Sequence, residues 1–279
     1  MTLGRTITLK DLTDGGKAAM AEALAVLESA PDAGHTIALL DAAYAAPRGR
    51  VIGVTGPPGV GKSTLLGAII PRLREAGRTV GVIAVDPSSR QTGGALLGDR
   101  LRLMTNVEDS GVFVRSMAAR DRLGGLAELT VGGMLLMRAA YDVVLIETVG
   151  VGQSETDVAW VADTVVFCVQ PGSGDSLQFM KAGIMEIPDI AVVTKADSEA
   201  AQRTQADLRA ALNHQRRRDG WAVPILPISA QKGTGIAPFI AALDRHADWL
   251  DEAGRRDNRR LANAKLWFRE ALTTRFGRE

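Results

Sequence analysis

The chain has 279 residues, with 33 Lys plus Arg against 32 Asp plus Glu and a formal charge of +1, so its balance gives no reason to wrap nucleic acid or an anionic membrane. One cysteine, Cys168, excludes an intramolecular disulfide; inside the apolar run TVVFCV it reads as a buried thiol in a reducing cytosol. The N-terminal MTLGRTITLKDLTDG lacks a signal peptide's basic-then-apolar pattern, and no run of about 18 apolar residues suggests a spanning helix, so a soluble cytoplasmic protein is expected. From Thr13 to Ala46, apolar residues at helical spacing (Met20, Leu24, Leu27, then Ile37 and Leu40) predict a helical preface. Pro47 and Gly49 end it, and RVIGVTG reads as the first core strand. Further strands are predicted at 79–86, 112–116, 141–148, 163–170, 189–195 and 223–229, several of them continuously apolar as strands covered on both faces should be. STLLGAIIPRLREAG and SEAAQRTQADLRAALNHQRRR between them predict helices, with Pro71 expected to distort the first. The alternation implies a three-layer α/β domain with a mostly parallel sheet over 48–250, flanked by helical extensions at 1–47 and 251–279. In the C-terminal segment, Leu261, Ala264, Phe268, Leu272 and Phe276 fall near one helix face, expected to pack on the parent domain, with a subunit contact as the alternative. The cluster RRDNRR at 255–260 reads as a solvated helix start.

The chemistry begins at GPPGVGKST, which satisfies G-x-x-x-x-G-K-[ST] between a strand and a helix. Gly56, Gly59 and Gly61 let the backbone turn tightly and aim N–H groups at phosphate oxygens, Pro57, Pro58 and Val60 complete the nucleotide-binding loop, and the helix N-terminus adds a favourable dipole. Lys62 supplies positive charge for the β and γ phosphates, and Ser63, followed by Thr64, a hydroxyl for Mg²⁺. The base is read from TKAD, 194–197. An ionised carboxylate only accepts hydrogen bonds, so Asp197 pairs with the ring N–H and exocyclic amine of guanine, whereas adenine offers it an acceptor and a C–H. Lys195 would lay its stem on the purine, and Ser229, Ala230 and Gln231 of SAQKG could present backbone N–H groups to the guanine carbonyl. These motifs resemble the base-recognition pair of P-loop GTPases, with threonine at 194 where asparagine is usual. Asp86, Asp99 and Glu147 are candidates for the magnesium shell; the ion keeps several waters, so some of the three would act through water.

DPSSRQTGGALLGDRLRL (86–103), ETVGVGQSETD (147–157) and PGSGDSLQFMKAGIMEIPD (171–189), ordered around the P-loop and TKAD, closely resemble the MeaB/ArgK/MMAA family of GTPases of the SIMIBI group. The resemblance spans about 50–230. It implies a G-protein chaperone of an adenosylcobalamin-dependent acyl-CoA mutase, such as methylmalonyl-CoA mutase, that gates cofactor loading and protects the enzyme. It also implies that Lys62, Asp99 and Glu147 serve hydrolysis, that 87–104 and GVGQSE with Gln153 are switches, and that a third segment with Asp175 and Lys181 relays nucleotide state. Many members continue past the WF-containing helix into an arm that wraps two subunits together, so a homodimer is expected to use a different or reduced surface here. No arginine finger is evident, although Arg100, Arg102 and Arg115 stand near the switches; slow turnover alone and stimulation by the partner are expected. A metal-delivery GTPase of the hydrogenase or urease type would need exposed Cys or His ligands, and this chain offers Cys168 and the scattered His35, His214 and His246. A small-molecule or protein kinase would need an acceptor site and a base beside it, and neither is legible.

Overall fold

The computed structural model describes residues 6–87, 108–119, 128–148, 158–172, 188–213 and 219–277. Seven strands form one sheet in the order β3-β2-β4-β1-β5-β6-β7, with helices alternating along the chain. The chain divides into two compact units, Met1–Ile52 with Lys62–Val149, and Gly53–Gly61 with Gly150–Glu279.

The first unit opens with helices α1 (Leu9–Asp14), α2 (Gly16–Ser29) and α3 (Gly34–Ala45). A capping box starts α1: the Thr8 hydroxyl accepts from the Asp11 amide at 3.2 Å, and the Asp11 carboxylate accepts from the Thr8 amide at 3.0 Å. Met20, Leu24, Leu27, Leu39 and Ala43 are buried, and α2 and α3 pack against α5 (Glu128–Ala140). Strand β1 (Arg50–Thr55) leads to α4 (Lys62–Glu75), then come β2 (Val80–Pro87), β3 (Val112–Ala119) and β4 (Val143–Glu147). β2 lies parallel to both β3 and β4, with Ala84 level with Ser116 on one side and Glu147 on the other. Pro71, expected to distort α4, lies inside it. The helix runs through it, held by the buried face of Leu65, Leu66, Ile69, Ile70 and Leu73, so tertiary burial outweighs the lost backbone bond.

The second unit carries β5 (Thr164–Val169), β6 (Ile190–Val193), α6 (Ala201–Asn213), β7 (Ile225–Pro227), α7 (Ile236–Asp251) and α8 (Arg255–Phe276). β5–β6 and β6–β7 are parallel. β5 and β6 are buried at every position, including Cys168, as their uninterrupted apolar runs require.

Helix α8 corrects two expectations. RRDNRR does start a helix, but its arginines are not solvated. Arg260 pairs bidentately with Asp163 at 2.7 and 2.8 Å, and Arg259 with Asp189 at 2.8 and 3.1 Å; both carboxylates are buried at the N-terminal ends of β5 and β6. Arg256 lies 3.6 Å from Asp163 as well. Asn263 and Trp267, further along this face, donate to the carbonyls of Ala159 and Trp160. Positions 256, 260, 263 and 267 therefore form the docked stripe, and helical geometry turns the apolar stripe outward. Leu261, Phe268, Leu272 and Phe276 are exposed rather than packed on the parent domain, Phe276 at 74%. Among the described residues no helix is long and apolar enough to cross a membrane.

Candidate functional site

In the first unit the predicted phosphate and metal residues meet at the start of α4 and the end of β4. Lys62 opens α4 with its side chain mostly buried. Ser63 donates its hydroxyl to Glu147 Oε1 at 2.6 Å, and Glu147, last residue of β4, is 1% exposed. A hydroxyl has one hydrogen and two lone pairs. With the hydrogen given to Glu147, the lone pairs of Ser63 Oγ are available to a cation, and hydroxyl plus carboxylate is the hard-oxygen donor set that suits Mg²⁺. Asp86 lies near the end of β2, two residues beyond the one level with Glu147. Asp99, Gln153, Asp175 and Lys181 lie outside the described residues, as do Arg100 and Arg102. Arg115 is described, and it is not available as a finger. It grips both carboxylate oxygens of Glu28 at 2.6 Å. Register explains this: Ser116 is the β3 residue level with Glu147, so strand alternation puts Arg115 on the opposite sheet face.

In the second unit the P-loop glycines adopt backbone angles that side chains resist. Gly56 has φ 137°, and a Cβ there would collide with the carbonyl of Cys168 on β5; Gly61 has φ 104°. Val60 is buried, with its amide donating to Pro57 O at 3.3 Å, whereas Pro58 is exposed. TKAD holds this loop by two consecutive carbonyls. Thr194 Oγ1 lies 2.6 Å from Val60 O and 3.0 Å from Val169 O, and Lys195 Nζ lies 3.0 Å from Gly59 O and 2.6 Å from Gln170 Oε1. Among the described residues the peptides are trans, so the carbonyl and amide of one peptide point opposite ways, and anchoring Val60 O turns the Gly61 amide away from Thr194. Lys195 sits at φ 49°, a left-handed conformation that non-glycine residues rarely hold outside functional sites.

Asp197 is held as an acceptor. The nearby Ser229 hydroxyl and the Asp197 backbone amide, with a lesser contribution from the charge of Lys232, keep its carboxyl below the usual range against the opposing effect of desolvation. Lys232 Nζ is 3.9 Å away. The Ser229 amide is committed to Thr234 O at 3.1 Å in a bridge that closes the SAQKGT loop. Of the three residues expected to face the guanine carbonyl, Ser229 therefore has its amide already paired within the loop. Sequence reasoning missed Gln170 and Lys232. Gln170 had one signal, a polar residue at the carboxyl end of an apolar strand, where ligands bind in open α/β sheets.

The family model described as methylmalonyl Co-A mutase-associated GTPase MeaB matches residues 20–277. The chain belongs to the MeaB family. A protein of Pyrococcus abyssi named as a GTPase is 47% identical over 214 residues, covering 75% of this chain and 66% of that protein. The methylmalonic aciduria type A homolog of Mus musculus, a mitochondrial protein, is 35% identical over 274 residues, covering 92% of this chain and 66% of its own. The matched part of this MeaB-family chain thus spans about two thirds of either relative. The crystal structure of a LAO/AO transport system kinase superposes with a TM-score of 0.76 at 30% identity, covering 97% of this chain and 85% of that one.

Proposed function

We propose that this MeaB-family protein binds and hydrolyses GTP with Mg²⁺ and passes its nucleotide state to an adenosylcobalamin-dependent acyl-CoA mutase. The observation that carries the guanine reading is Asp197, a carboxylate at the end of TKAD with Lys232 Nζ 3.9 Å away, in a motif that holds the P-loop through Thr194 and Lys195. An acceptor-only group matches the N–H and amine of guanine and has no counterpart on adenine. The P-loop amides and Lys62 bind the phosphates. Ser63, oriented by Glu147, would hold Mg²⁺, which neutralises charge on the phosphate oxygens. Glu147 orients the Ser63 hydroxyl and, with Asp86 and Asp99, is assigned to the shell around the metal and the hydrolytic water. Gln153, Asp175 and Lys181 are assigned to the segments that report the nucleotide. With Arg115 bound to Glu28, turnover is slow until a partner orders the switches.

The mutase assignment rests on the family's printed description and the mouse relative's name. The exposed apolar stripe of α8 is assigned to contact with a second copy of the chain. Calorimetric titration tests the nucleotide reading: GTP and GDP should bind at least about tenfold more tightly than ATP, and Asp197→Asn should erase that preference. Equal affinity for ATP in the unaltered protein would sink it.

A further inference from the structure

Guanine presents donors at N1 and the 2-amine and acceptors at O6 and N7. A site can read this pattern along the Watson–Crick edge, which includes O6, or can add a donor to N7. The side chains of the two base motifs differ sharply in what they have left to give.

The Thr194 hydroxyl carries one hydrogen, is 5% exposed, and faces two carbonyl acceptors, Val60 O at 2.6 Å and Val169 O at 3.0 Å. Lys195 Nζ is directed at Gly59 O and Gln170 Oε1. The Ser229 hydroxyl oxygen accepts from the Lys232 amide at 3.4 Å. The single hydrogen of Thr194 and two of the three on Lys195 Nζ thus face protein acceptors, while Asp197 accepts and can serve only donors. An asparagine at 194 would be different in kind. Its amide carries two hydrogens, so one could hold the P-loop carbonyl while the other remained for an acceptor on the base.

We propose that threonine at 194 leaves the base site blind to N7, so that this protein selects guanine by its Watson–Crick edge and accepts guanine nucleotides altered at position 7. This rests on the guanine reading above and sharpens the class of nucleotide the site admits. Thr194 is then a positioning residue for the P-loop and a specificity residue by what it withholds.

The full-length protein would be titrated calorimetrically with GTP, 7-deaza-GTP and ITP, which lacks the 2-amine. The expected order is 7-deaza-GTP within about twofold of GTP, and ITP weaker by about tenfold or more, the loss of one hydrogen bond to a carboxylate. A tenfold loss for 7-deaza-GTP would overturn the proposal while leaving guanine binding intact; failure of all three to bind would instead overturn the guanine reading and the proposal with it. Thr194→Ser keeps one hydrogen and should reproduce the parent pattern, whereas Thr194→Asn should acquire a preference for GTP over 7-deaza-GTP of about threefold or more. An unchanged ratio in Thr194→Asn, with Thr194→Ser confirming a folded site, would remove residue 194 from the explanation.

Discussion

Gly56 shows how little freedom the nucleotide site leaves at single residues. Its φ of 137° disfavours any side chain, and the space a Cβ would need is taken by the carbonyl of Cys168. Gly56→Ala should therefore displace the loop rather than fill it, and nucleotide titration should show affinity falling by about a hundredfold or more, with circular dichroism still that of a folded protein. Most of this site was legible beforehand, because motifs such as GPPGVGKST and TKAD carry their chemistry in spacing. What spacing did not carry were contacts made across the sheet. The bond from Thr194 to Val169 O and the hold of Gln170 on Lys195 depend on which strand lies beside which. The same holds for Arg115, whose proximity to the switch segments in sequence suggested reach toward phosphate, until strand alternation put it with Glu28.

At the scale of elements, β5 and β6 are rods of six and four residues with different work at each end. Their carboxyl ends lead to Gln170 and Thr194; their amino ends follow Asp163 and Asp189, where α8 is bolted. Burial alone would push the Asp189 carboxyl up, but contacts with His246 and the hydrogen bonds and charge of Arg259 outweigh it and hold the group well below the usual range. Since the folded value lies below the unfolded one of about 4, the stability it contributes is complete above about pH 5 and is lost as pH falls toward the folded value. Denaturation monitored by the fluorescence of Trp221, whose indole donates to Asp189 O, should show stability declining below that point, and Asp189→Asn should flatten the decline. Arg260→Ala removes the bidentate partner of the buried Asp163, leaves Arg256 at 3.6 Å, and should cost about 1.5–3 kcal/mol in chemical denaturation; a loss under about 1 kcal/mol would mean the pair is ornamental. The strands were legible as apolar runs, with most ends trimmed by a residue or two, 79–86 shifted by one, and 112–116 running on to Ala119. RRDNRR was not, since a charge run looks solvated until carboxylates 70 and 97 residues away in sequence are found beside it.

For the molecule as a whole, the partner decides the reading. Addition of the cobalamin-dependent mutase found in the same cells should raise GTP turnover by about tenfold or more, measured as phosphate release. No stimulation, together with failure to capture the mutase on immobilised protein, would separate this chain from the role its family description implies. The exposed stripe of α8 makes a second expectation at this scale: Phe268→Glu with Leu272→Glu should shift the sedimentation coefficient to that of a monomer if copies meet there, and leave GTP affinity within about twofold. The bolting of α8 also bears on how the second unit comes into being. Asp163 and Asp189 leave the ribosome long before Arg259 and Arg260, so while the chain is still growing the floor of the nucleotide site carries two carboxylates with no counter-charge from α8. Its strands can reach their final burial at full stability only when α8 arrives. Order at the nucleotide end of β5 and β6 thus depends on a helix docked at their opposite end, so a change in α8 can reach the site without touching it.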